Sequence, residues 1–80
     1  MTKKYLEKSK ELEILYEEFK NIMLANVLRF NDSQIVASTM VALALRLYKS
    51  TLTDEEYKDM LKIVVKNAKK IEPFVINSFH

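Results

Sequence analysis

The side chains that could do chemistry are few and widely separated in this chain. It contains no Cys, and its single histidine is His80. Neighbouring carboxylates occur at Glu17 and Glu18, and again at Glu55 and Asp59. Helical periodicity turns both pairs toward solvent, and neither pair has a histidine or a nucleophile at a definable spacing. We therefore predict no catalytic residue, no metal ligand and no bound cofactor, and we expect a protein that is not an enzyme.

A row of lysines is the strongest electrostatic feature. These residues fall within one stripe of a helix that begins after Thr53, and no acidic residue occurs between Met60 and Ile71. A lysine stripe can follow a phosphate backbone and release its counterions, which makes nucleic acid a candidate partner. The alternative is a solvated helix face without a ligand. The residues of the predicted nucleic-acid contact are Lys58, Lys62, Lys66, Lys69 and Lys70.

A helix-turn-helix mode of DNA binding is excluded by the charges at the start of the same helix. A recognition helix presents its N-terminal residues to the major groove. Those residues are Asp54, Glu55 and Glu56 here, and DNA phosphates would repel them. The formal net charge of the whole chain is only +2, which also weakens the case for nucleic acid.

Composition and length indicate one small helical domain over residues 1–80. The chain is 49% hydrophobic and contains no Gly and one Pro, so it is too apolar to be intrinsically disordered. Without glycine it has no phosphate-cradling loop, and Asn must take over the usual role of glycine at helix ends. Its first residues carry charges where a secretory signal would be apolar. Its longest uncharged apolar run, from Ile35 to Leu45, is too short to cross a membrane, so we expect a cytoplasmic protein without a membrane partner.

Periodicity predicts a long first helix from Thr2 to Arg29, followed by a break at residues 31–33. Its apolar residues recur at helical spacing and are expected to pack in the core. This main stripe consists of Tyr5, Leu12, Leu15, Tyr16, Phe19, Ile22, Met23, Val27 and Phe30.

Two shorter helices are predicted after the break. The second runs from Ser33 to Lys49 and has an apolar arc wide enough for neighbours on both sides. Thr53 and Glu56 form an S/T-x-x-E capping box that starts the third, which runs to Lys70. The third helix is expected to bury Tyr57, Met60, Leu61, Val64, Ala68 and Ile71. The predicted fold is a small antiparallel three-helix bundle, with a short C-terminal segment after Pro73 docked on it or on a partner.

A second apolar face on the first helix favours self-association. Ile14, Leu24 and Leu28 lie on the side opposite the main stripe, and two shorter helices cannot cover a helix this long. We predict a homodimer with these three residues at its interface. The function that we expect is a small non-enzymatic interaction module that self-associates and regulates or scaffolds an unidentified protein partner. The alternative is a small nucleic-acid-binding protein that uses the lysine stripe.

Overall fold

The computed structural model describes the backbone of residues 3–74 and the side chains of residues 8–74. Over this range the chain is all-α, with helices α1 (Lys3–Phe30), α2 (Ser33–Thr51) and α3 (Asp54–Ala68). The predicted fold class, an all-α chain with one long and two shorter helices, is confirmed. The helix bounds agree with the sequence prediction to within two residues.

The break between α1 and α2 is made by Asn31 and Asp32. Asn31 has a φ of 52°, and its N–H donates to the carbonyl of Val27 at 2.8 Å. Asn tolerates this left-handed conformation better than most residues, so it ends a helix in a chain that lacks glycine. The Asp32 carboxylate then accepts a hydrogen bond from the Ile35 N–H at 3.1 Å and caps the first turn of α2. The predicted break is confirmed.

The start of α3 is fixed by the capping box. The Glu56 N–H donates to Thr53 Oγ1 at 3.2 Å, and the Thr53 N–H donates to Glu56 Oε1 at 2.9 Å. The bond from the Thr53 N–H favours the charged carboxylate and, with a smaller contribution from the Thr53 side chain, holds the pKa of Glu56 below its ordinary value of 4.5. The predicted capping box is therefore present in full.

The end of α3 differs from the prediction. The helix stops at Ala68, not at Lys70, and a tight turn follows. In this turn the Lys70 N–H donates to the backbone carbonyl of Asn67 at 2.9 Å, and the Ile71 N–H donates to that of Ala68 at 3.3 Å. Bonds that reach back three residues tighten the last turn and satisfy carbonyls that the helix leaves open. The predicted docking concerns the segment 74–80, of which residues 75–80 lie outside the described residues, and Phe74 is exposed.

The chain divides into two compact units, Met1–Ala37 and Ser38–His80. The first contains α1 and the beginning of α2, and the second contains the rest of α2 and all of α3. The organisation of residues 1–80 as a single domain stays a prediction.

Burial is concentrated near the two turns. In the first unit Val36 is 9% exposed and is the one buried side chain among residues 8–74. The half-buried apolar residues of this unit are Met23, Leu24 and Val27. Those of the second unit are Leu45, Leu52, Tyr57, Met60 and Leu61. The expected burial of the third helix is thus met in part at Tyr57, Met60 and Leu61.

The rest of the predicted core is exposed, apart from Tyr5, whose side chain lies outside the described residues. On α1 the prediction fails over most of the main stripe, and only Met23 and Val27 are half-buried. On α3 it fails at Val64, Ala68 and Ile71, the last of which lies beyond the helix end. Periodicity identifies an apolar face, but it does not supply the surface that covers this face. The exposed main-stripe residues with described side chains are Leu12, Leu15, Tyr16, Phe19, Ile22 and Phe30, and α2 adds Met40, Val41, Leu43, Leu47 and Tyr48.

Candidate functional site

The carboxylates considered for catalysis do not assemble into a site. Glu17 accepts a hydrogen bond from Lys20 Nζ at 3.1 Å, and both Glu17 and Glu18 are exposed on α1. Glu55 and Asp59 are exposed on α3. Within the described part of the chain, no three side chains of His, Cys, Asp or Glu come close enough together to hold a metal ion. His80 lies outside the described residues.

The middle of α1 carries a shallow apolar groove. Its walls are Leu12, Leu15, Tyr16 and Phe19, at positions i, i+3, i+4 and i+7, all of them exposed. Four residues at this spacing form the hole that accepts a side chain from a facing helix in knobs-into-holes packing. We call this surface the α1 groove.

Acidic residues flank the α1 groove. Glu13 and Glu17 line it, and Glu11 and Glu18 lie on the same stretch of the helix. Glu11 pairs with Lys8 Nζ at 3.3 Å, and Glu17 pairs with Lys20, as given above. Glu13 and Glu18 have no cation within ion-pair distance among the residues that the structure describes. The groove therefore combines apolar walls with an acidic border.

The predicted oligomer interface is spread along α1. Ile14 is exposed, Leu28 is 77% exposed, and Leu24 is half-buried. Leu24 and Leu28 are one helical turn apart, whereas ten residues, about 15 Å at the α-helical rise, separate Ile14 from Leu24. The structure thus brings Leu24 and Leu28 together and leaves Ile14 apart from them.

The lysines of the predicted nucleic-acid contact are all exposed. Lys62, Lys66 and Lys69 lie beside Leu61 and Val65 on one face of α3. We call this face the α3 ridge. Lys58 lies one turn before it, and Lys70 belongs to the turn after α3. None of these five lysines has an ion-pair partner within residues 8–74.

Two features of the surface were missed from sequence. One is Lys49, whose Nζ lies 3.9 Å from Asp54 Oδ1 and 4.7 Å from the centre of the Tyr57 ring, so that it joins the end of α2 to the start of α3. A lysine in the last turn of one helix and an acid in the first turn of the next were the available signal. The other is the α1 groove. Its signal was the combination of apolar residues at i, i+3, i+4 and i+7 with glutamates beside them.

Comparison with known proteins gives no relative. Searches against protein-family models, curated proteins and solved structures find no match to this chain. The described helices include none with the length and apolar character needed to cross a membrane. The exposed helix faces are therefore the surfaces of this chain that bear on its function.

Proposed function

We propose that this chain is a small, cytoplasmic, non-enzymatic helical interaction module that self-associates and scaffolds or regulates a protein partner. The observation that carries the proposal is the exposed α1 groove. Soluble monomers rarely expose contiguous apolar patches of more than a few hundred Å², and larger ones mark sites of protein association. Leu28 adds exposed apolar area elsewhere on the same helix.

The energetics of association support this proposal. Each Å² of apolar surface removed from water contributes roughly 25 cal/mol, so burying several large side chains offsets much of the entropic cost of association. Closed two-fold dimers are the most common way in which a single chain covers such a surface. A homodimer through α1 is therefore the first assembly to test.

Light scattering on the wild-type chain at tens of micromolar tests self-association. We expect the mass of a dimer. The variant Leu24→Glu with Leu28→Glu tests the interface predicted from sequence, and it should reduce this mass to that of a monomer if the two leucines lie there. A matched control is Gln34→Glu with Ser38→Glu, which adds the same charge at the same spacing on exposed positions of α2. A monomeric wild type would refute self-association, and a dimer that survives the Leu24 and Leu28 changes would move the interface away from these residues.

The second candidate function is nucleic-acid binding by the lysine stripe. It is favoured by the exposure of all five lysines and by the absence of carboxylate partners for them within residues 8–74. Binding to a random-sequence duplex and single strand should then fall steeply as salt rises, with a log–log slope set by the number of phosphates contacted. No binding at low salt would reject this function.

A further inference from the structure

We infer that the α1 groove receives the α3 ridge of a second copy of this chain, so that a two-fold dimer contains two identical α1–α3 contacts. This inference rests on the proposed self-association and names the surfaces that carry it out. A two-fold axis makes each contact occur twice and closes the assembly at two chains.

The shapes of the two surfaces fit this contact. The α1 groove is a hole between four apolar side chains. The α3 ridge offers Leu61 and Val65, which are four residues apart and therefore lie on one face of the helix. Val65 is exposed and Leu61 is half-buried, so their side chains are available as knobs for the hole.

The charges of the two surfaces are opposite in sign. The glutamates that line the α1 groove are Glu13 and Glu17, and the lysines of the α3 ridge are Lys62, Lys66 and Lys69. The two glutamates are four residue steps apart, about 6 Å along a helix, which matches the spacing of Lys62 and Lys66. Glu13 and Glu18 have no cation partner within residues 8–74, and neither do the three ridge lysines. The contact pairs Glu13 with ridge lysines that are otherwise left to solvent, whereas Glu17 already has Lys20 as a partner.

Charge also argues against pairing each surface with its own copy. Two α1 grooves placed against each other would bring the glutamates of both chains together. Two α3 ridges would bring six lysines together. Like charges across an interface are unfavourable, whereas opposite charges select the partner and the register. The distribution of charge therefore favours pairing of the α1 groove with the α3 ridge.

The test uses charge reversal on each surface in turn. One variant carries Glu13→Lys with Glu17→Lys, and the other carries Lys62→Glu with Lys66→Glu. All four positions are exposed, so circular dichroism should show unchanged helix content. If each reversed charge weakens the dimer about threefold, the four affected positions of a dimer raise its dissociation constant roughly 100-fold.

Mixing the two variants restores opposite charges at both contacts. The groove of the first variant is now basic and fits the acidic ridge of the second, and the remaining groove and ridge keep their original charges. We expect two monomeric variants to form a heterodimer when mixed. A control variant, Lys10→Glu with Arg46→Glu, changes the net charge as much as the ridge variant does, at exposed positions outside both surfaces, and should remain a dimer like the wild type.

The outcomes separate this inference from the proposed function. A monomeric wild type refutes self-association itself, and with it the contact. A dimeric wild type whose ridge variant remains dimeric overturns the α1–α3 contact and leaves self-association standing. Monomeric variants that do not associate on mixing also overturn the contact. If the ridge variant remains dimeric and loses affinity for a random-sequence duplex, the lysines bind nucleic acid and not α1.

Discussion

The turn between α2 and α3 and the middle of α1 are stabilised in different ways. The turn has reciprocal hydrogen bonds between Thr53 and Glu56, and Lys49 reaches across it to Asp54 and Tyr57. The half-buried residues of the second unit lie on both sides of this turn. In the middle of α1, by contrast, the described side-chain pairs, such as Lys8 with Glu11, lie within the one helix and join it to no second helix.

This difference reflects two kinds of information in the sequence: residues that bond to near neighbours, and an amphipathic pattern that needs a covering surface. The turn is specified by residues a few positions apart, and their bonds form within one chain. The α1 groove is specified by an amphipathic pattern, and an apolar face is stabilised only when another surface covers it. The turn is therefore complete in the single chain, whereas the middle of α1 has an exposed apolar face that is available for association.

The largest change in the free energy of unfolding is expected at Val36, the buried side chain beside the turn between α1 and α2. Val36→Ala removes two buried methyl groups and should destabilise the fold by about 1.5 kcal/mol. Val41→Ala is the matched control on the same helix, because Val41 is 58% exposed and the change in helix propensity is the same. Urea unfolding of both variants measures the difference. Equal effects at the two valines would mean that burial near the turns does not stabilise this chain.

The capping box should rank second. Thr53→Ala removes the side-chain acceptor of the Glu56 N–H and should cost about 1 kcal/mol, whereas Thr53→Ser keeps the hydroxyl and most of the stability. The midpoint of urea denaturation measures both. A midpoint that is unchanged in the alanine variant would contradict the assignment of Thr53 as the start of α3.

Removing the charge of Lys49 should have a smaller effect. Lys49→Met removes an exposed ion pair and the contact of a cation with the Tyr57 ring, together worth about 0.5 kcal/mol. Lys49→Arg preserves both kinds of contact and serves as the control. Thermal unfolding compares the two variants. If methionine and arginine gave the same melting temperature, the contacts of Lys49 would not contribute to the turn.

The smallest effect expected is a dependence of stability on pH that comes from Glu56. Because its pKa is lowered in the folded chain, the unfolded chain binds more protons at acidic pH. The contribution of Glu56 is therefore complete above its ordinary pKa of 4.5 and is lost as the pH falls through the lower, folded value. Glu56→Gln keeps an acceptor for the Thr53 N–H but does not titrate. The wild type should lose more melting temperature than this variant on acidification, and parallel curves would contradict the prediction.

Local features of the fold could be predicted from the sequence. The break at Asn31 and Asp32, the capping box at Thr53 and the order of one long and two shorter helices were all predicted. Each depends on backbone conformations and hydrogen bonds between residues at most four apart. The end of α3 was placed two residues too late, because the lysines after Ala68 are good helix formers and the tight turn has no distinct residue signal.

Burial could be predicted only in part. The same periodicity that placed Met60 and Leu61 in the core placed Val64 and Ile71 there as well, yet Ile71 is 73% exposed. Leu24 was assigned to an exposed face, and it is half-buried. The sequence by itself determined the order of the helices, where they begin and which of their faces are apolar, since those properties follow from local bonding and helical geometry. Only the tertiary structure decided which apolar side chains are covered, because burial depends on contacts between residues that are distant in the sequence.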